Sequence, residues 1–289
     1  MTAFDADQQI VVGIDPLDPS VPTLAWAADE AERRNVPLRL VLAVPPGHDT
    51  QHVDASPQRL ALQAQGREAL AAASETVFRL TPEAHVVTEL VDGPPAVVLC
   101  RRTTGPTRLI VVGSRRLGRA AEILSIRSVA APLSAQAHCP VVVVRSPEHT
   151  AQEPAQLVVG VDGSDSSREA VRFAFEEAEL RHASVHAVWV WPRPLIEPPG
   201  HSGREARTRL LAETVAEHSV RHPGVDATQE VRRGHPVEEL ARVSSAALAV
   251  VVGRRGHGGY TGMRLGSVVH GLLRRAECPM ITVPRAESG

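Results

Sequence analysis

The sequence predicts a tandem α/β protein built from two doubly wound parallel-sheet domains. Three observations carry this. Short, apolar, β-branched runs alternate with Ala/Glu/Arg-rich stretches at helical spacing. The alternation is written twice, in the same order. Glycine-rich turns fall where buried strands should end. Alternation of this kind implies a parallel sheet covered by helices on both faces, joined by right-handed crossovers.

In the first copy, the runs 10–14, 38–44, 109–112 and 141–144 read as buried parallel strands. Between them, 21–34, 58–80 and 94–102 carry helical spacing. The second copy follows element by element. Gln9-Ile10-Val11-Val12-Gly13-Ile14-Asp15 matches Gln156-Leu157-Val158-Val159-Gly160-Val161-Asp162, and Ala28-Asp29-Glu30-Ala31-Glu32 matches Phe175-Glu176-Glu177-Ala178-Glu179. Val91 to Pro95 corresponds to Arg232 to Pro236, and Leu109 to Gly113 to Ala249 to Gly253. The runs after Cys139 and Cys278 also correspond. The polar stretch from Ser146 to Ala155 reads as the join. The boundaries are therefore a first domain at 1–147, a linker at 148–155 and a second domain at 156–289.

Composition narrows the function. A length of 289 residues, 43% hydrophobic and 22% charged, suits two ordinary globular cores. A formal charge of −2 argues against a general nucleic-acid binder, and so does an aromatic content of 3%. The chain has no lysine, which excludes a Walker-A loop and Schiff-base chemistry. Cys100, Cys139 and Cys278 are too scattered for a disulfide framework or zinc site, and Cys139 and Cys278 read as small buried packing residues. The N-terminus lacks a signal-peptide pattern and no run approaches a membrane span, so the expected location is cytoplasmic.

The chemistry concentrates in the second copy. Val250-Val251-Val252-Gly253-Arg254-Arg255-Gly256 runs from a buried strand into a glycine loop, with Gly258, Gly259 and Gly262 beyond it. Gly266-Ser267 then opens a helix expected over 268–275, with Ser267 able to cap it and to offer its hydroxyl and N–H to a phosphate. The bland alternative is a loop needed only for tight turning. Asp162, after the first strand, can accept from a ribose hydroxyl or base amine, or cap the helix beginning around Ser166-Ser167; the two roles are compatible. Val190, near the end of the second strand, would present backbone groups to a flat ligand, or is simply core. His257 has no triad partners by sequence and is not assigned as a base.

The first copy departs from this pattern. Arg116 stands where Gly256 does, and Arg127 occupies the Gly266 position when Ser128 is aligned with Ser267. Side chains at points of close backbone approach block a phosphate, although arginine can itself bind one. Asp15, Ala43, Gly113 and Ser128 remain as the parts of a possible weaker site. An empty or weakened site is the reading we favour.

The strand-one Val-Val-Gly-Val-Asp-Gly-Ser, the Gly-x2-Gly-x9-Gly-Ser spacing and the Cys-Pro before the last strand resemble the universal stress proteins in their tandem form, over essentially the whole chain. The resemblance implies five-stranded, adenine nucleotide alpha hydrolase-like domains. It also implies ATP, with Mg²⁺, held by Asp162, Val190, Gly253, Gly256, Gly266, Ser267 and Val268. Pairing of the two final strands within one chain, as an internal pseudo-dimer, is expected from the same resemblance; a homo-oligomer or a regulatory protein partner is not readable. The function so implied is a non-catalytic, nucleotide-binding stress or dormancy regulator. A slow ATPase or phosphoryl- or adenylyl-transfer enzyme is the alternative, and a ligand-free structural or chaperone-like protein the third. Positions 254–265 carry no Asp or Glu, which weighs against efficient phosphoryl transfer.

Overall fold

The computed structural model describes residues 8–45, 57–114, 129–145, 155–191, 202–257 and 265–285. The chain divides into two units, Met1–Arg145 and Ser146–Gly289. The expected linker falls almost entirely outside the described residues.

Unit one runs β1 (Gln9–Gly13), α1 (Val21–Arg34), β2 (Leu38–Val44), α2 (Pro57–Leu80), β3 (Val86–Asp92), α3 (Pro95–Arg102), β4 (Thr107–Gly113), α4 (Ala130–Gln136) and β5 (Val141–Val144). Unit two repeats it as β6 (Gln156–Val161), α5 (Asp165–Arg181), β7 (Ser184–Trp191), α6 (Ser202–Arg221), β8 (Ala227–Arg233), α7 (Pro236–Val243), β9 (Ala249–Gly253), α8 (Ser267–Arg275) and β10 (Met280–Val283). Within each unit the strands pair in parallel, in the orders β3-β2-β1-β4-β5 and β8-β7-β6-β9-β10. The chain therefore reverses direction across each sheet between β1 and β4, and between β6 and β9. A crevice opens at such a switch point, beyond the carboxyl ends of the strands.

The core explains the strand composition. Ile10, Val11, Val12, Ile110 and Val111 in unit one, and Val158, Val159, Val250 and Val251 in unit two, are fully buried. β-Branched side chains fill both faces of these central strands, as helix-covered parallel strands require. Helices α1 and α2 pack together, as do α3 and α4; α5 with α6 and α7 with α8 repeat the arrangement. Two duplicated details show how local chemistry closes each unit. Glu30 and Glu177 are wholly buried, each paired to an arginine one turn on, Arg34 and Arg181. Without that partner a buried carboxylate would carry a large desolvation cost. Asn35 and His182 end α1 and α5 in the left-handed conformation (φ 51° in both), their N–H groups reaching back to the last helical carbonyls.

Cys139 and Cys278 are buried, as their sequence positions suggest. Burial pushes the Cys278 thiol up to about 11, so it is protonated at neutral pH and unreactive. Among the described residues no helix is long and apolar enough to cross a membrane.

Candidate functional site

The site of unit two lies at its switch point. β6 ends at Val161, and Asp162 follows at the carboxyl edge of the sheet; neighbouring β9 ends at Gly253 and delivers the glycine loop to the same edge. Gly163 takes φ +83°, a conformation that favours glycine, and turns the chain from strand into helix. A Cβ on Gly163 would stand 2.9 Å from the Trp189 ring. Val161 pairs in register with Trp189, which brings the end of β7, and with it Val190, beside the Asp162 turn.

Asp162 does not cap α5. The helix starts at Asp165 with Ser164 as its N-cap, the Ser164 Oγ accepting from the Ser167 N–H at 3.2 Å. Asp162 instead closes an Asx turn, accepting at Oδ1 from the Ser164 N–H (3.0 Å) and the Ser164 hydroxyl (2.6 Å). Its Oδ2 accepts from the backbone N–H of His257 at 2.8 Å, across to the glycine loop. Burial alone would raise this carboxyl's pKa. The hydrogen bonds from Ser164, His257 and Ser167 outweigh burial and hold it below the usual aspartate value. Asp162 is therefore an anion at neutral pH, and its oxygens keep lone pairs for a further donor such as a sugar hydroxyl.

The glycines of the loop have separate steric reasons. A Cβ on Gly253 would fall 2.4 Å from the Ser166 backbone oxygen, and one on Gly256 would fall 2.2 Å from Asp162 Oδ2. At Gly253 only bare backbone fits, because the α5 main chain cannot give way; at Gly256 any Cβ would force the Asp162 carboxylate to turn aside. Gly266 is looser: a Cβ there would stand 3.2 Å from the Arg254 oxygen. Its own N–H donates to that oxygen at 3.0 Å, closing the loop base, while the Arg254 N–H donates to Val283 of β10 at 2.9 Å. Gly258, Gly259 and Gly262 lie outside the described residues.

Ser267 differs from expectation. It is the first residue of α8, not its cap; Gly266 is the N-cap, with extended backbone and no side-chain cap bond. Glycine is accepted there, and the Ser267 side chain stays exposed. The N–H groups of Ser267 and Val268 belong to the first turn of α8, where no intrahelical acceptor exists. Among the described residues nothing accepts from the N–H of Gly256, Ser267 or Val268. Backbone donors and the positive end of a helix thus lie together across from an anionic Asp162, a set of groups able to receive an anion on one side and a hydrogen-bond donor on the other.

Three participants escaped the sequence reading: the Ser164 hydroxyl, the Ser166 hydroxyl and the His257 N–H. The serine cluster Ser164, Ser166, Ser167 was the available signal for the first two. A main-chain donor leaves no signal in residue type. The His257 ring contributes only weakly, with Nδ1 4.0 Å from Asp162 Oδ1.

In unit one Asp15 repeats the Asx turn, accepting from the Leu17 N–H at 2.9 Å. The helix does not follow at once: Pro16 and Pro19 intervene, and α1 begins at Val21 with Pro22 in its first turn. Beneath Gly113 lies the Thr23 hydroxyl, 2.9 Å from where a Cβ would stand, and that hydroxyl donates to Ser20 Oγ at 2.9 Å. Ala43 is buried in β2, paired with Val91. Arg116, Gly118, Arg127 and Ser128 lie outside the described residues.

The model of the universal stress protein family matches residues 8–145 and again 155–284. The chain belongs to this family. A universal stress protein of Mycobacterium tuberculosis H37Rv is 34% identical over 293 residues, covering 97% of this chain and 98% of the relative. One from Mycolicibacterium smegmatis is 31% identical over 286 residues, covering 95% and 96%. Among solved structures, a universal stress protein from Archaeoglobus fulgidus superposes with a TM-score of 0.75 at 17% identity, covering 99% of each chain. The last likeness shows a shared fold. The duplication legible in the sequence is matched by the family model in both copies.

Proposed function

We propose that unit two binds an adenine nucleotide, ATP with Mg²⁺ on its phosphates, and that this universal stress protein is a non-catalytic, nucleotide-responsive stress or dormancy regulator of the cytoplasm. The observation that carries the reading is the hydrogen bond from the His257 N–H of the glycine loop to Asp162, with the loop base closed by the Gly266 N–H at the start of α8. In this reading Asp162 takes a ribose hydroxyl and the backbone beside Val190 borders the base. Gly253, Gly256 and Gly266 give the phosphates room, while the N–H groups of Gly256, Ser267 and Val268 receive them. Because Asp162 also holds the loop, occupancy and loop position are coupled, which is what a sensor needs. A second full site in unit one is not proposed: Asp15, Ala43, Gly113 and Ser128 remain there as a weakened version.

Calorimetric titration of the full chain with ATP and Mg²⁺, and separately with AMP, tests this. Saturable binding abolished or strongly weakened by Asp162→Ala and Gly256→Ala is the expected result. Absence of binding, or binding indifferent to both changes, refutes it. Turnover well above about 1 s⁻¹, the lower end of ordinary enzymes, would make the protein a catalyst instead.

A further inference from the structure

The glycine loop needs a fixed shape before it can receive an anion, and the structure assigns that task to Ser166. This residue sits in the first turn of α5, only 6% exposed. Its backbone oxygen is the atom against which Gly253 packs, and its Oγ accepts the Arg255 N–H at 3.3 Å. One residue therefore meets the loop twice, once by close backbone approach and once by a hydrogen bond between segments 89 residues apart. Ser164 adds a softer contact, its Oγ 3.3 Å from the Arg255 carbonyl.

We propose that Ser166 is a positioning residue for the anion-binding loop: it touches no ligand, and it turns the Arg255 N–H inward so that the Gly256 N–H faces the crevice. The donors divide accordingly. The N–H groups of Arg254, Arg255, His257 and Gly266 are spent on Val283, Ser166, Asp162 and Arg254, respectively. Those of Gly256, Ser267 and Val268 have no acceptor among the described residues and face the ligand in this reading. Preorganised donors lower the entropy that binding must offset. Unit one differs at this place. Pro19 stands at the repeat position of Ser166, and the nearest hydroxyl, that of Thr23, is directed to Ser20. This positioning role deepens the nucleotide reading for affinity but stands apart from it for loop order.

Amide hydrogen exchange of the full chain without nucleotide, read over residues 254–257, is the test. Ser166→Ala should speed exchange there while leaving β9 and the melting temperature near wild type. ATP affinity should fall about 3- to 10-fold, as loss of one hydrogen bond implies. Ser166→Thr, which keeps the hydroxyl, should hold both readouts near wild type. Unchanged loop exchange in Ser166→Ala, or equal loss in Ser166→Thr, overturns the proposal. Faster loop exchange in a protein whose wild type binds no nucleotide would uphold the positioning role and refute the nucleotide reading alone.

Discussion

The backbone N–H of His257 donates to Asp162 Oδ2 at 2.8 Å, joining two residues 95 positions apart. The bond ties the end of the first strand of unit two to the tip of its described glycine loop. A carboxylate that the sequence offered as a ligand contact thus holds the glycine loop in the structure. Removing it should have two effects that separate experimentally.

Asp162→Asn keeps the shape and loses the charge. Because the folded carboxyl titrates below its unfolded value, it stabilises the fold above about pH 4 and that contribution is lost as pH falls through the folded pKa. The wild type should therefore lose stability more steeply than Asp162→Asn on acidification from about pH 5 to 3. Denaturant melts across that range measure it. Parallel slopes would show that the carboxylate carries no folded-state advantage.

The three loop glycines should differ in their response to alanine. Gly253→Ala drives a methyl into the backbone of α5, which cannot yield locally, whereas Gly256→Ala meets a side-chain oxygen that can rotate. Gly266→Ala meets its nearest neighbour at 3.2 Å, with ordinary negative φ. The destabilisation should follow Gly253 > Gly256 > Gly266, the first of about 1–3 kcal/mol or more. Chemical denaturation gives the order. Gly256→Ala should cost the most nucleotide affinity per unit of lost stability.

His218 supplies a second pH dependence, away from the site. It is 5% exposed on α6, its ring 5.6 Å from that of buried Phe175, and Nδ1 has no hydrogen-bond partner among the described residues. Burial lowers its pKa; Glu217 opposes the shift, while Arg221, His222 and Arg172 of α5 reinforce it. The unfolded chain therefore takes up the proton first, and stability is full above about pH 6.5 and falls as pH drops toward the folded pKa. His218→Phe should flatten thermal stability between about pH 7.5 and 5.5. A wild type equally stable across that interval would contradict the assignment.

One nucleotide per chain is the expected stoichiometry, countable by native mass spectrometry. Unit one keeps the Asp15 turn but separates it from α1 by Pro16 and Pro19, with Pro19 at the repeat position of Ser166. Two equal sites would show that these departures, with Arg116 and Arg127, leave unit one competent.

Much of the fold was legible because its signals are local. The strand runs at 38–44 and 141–144 and the helix at 21–34 coincide with β2, β5 and α1. In the first copy the reading named neither β3 (Val86–Asp92), none of whose residues is fully buried, nor the short helix α4, whose seven residues include Pro132 and carry little periodicity; in the second copy the counterpart helix α8 was expected over 268–275. At the site, Asp162 and the three glycines stood out by residue type and spacing. The roles of their neighbours did not: Ser267 reads as a cap and is the first helical residue, because extended Gly266 takes the cap position.

The sequence by itself determined the duplication, the alternation of strand and helix, and the asymmetry between an intact and an altered glycine loop. Periodicity and repeated residue types are properties of the chain, and they survive without coordinates. The tertiary structure decided which groups meet: Gly253 against the Ser166 backbone, the Arg255 N–H on the Ser166 hydroxyl, the His257 N–H on Asp162. Those contacts use main-chain atoms that every residue carries. Only the folding of β6 and β9 side by side brings them within hydrogen-bonding distance.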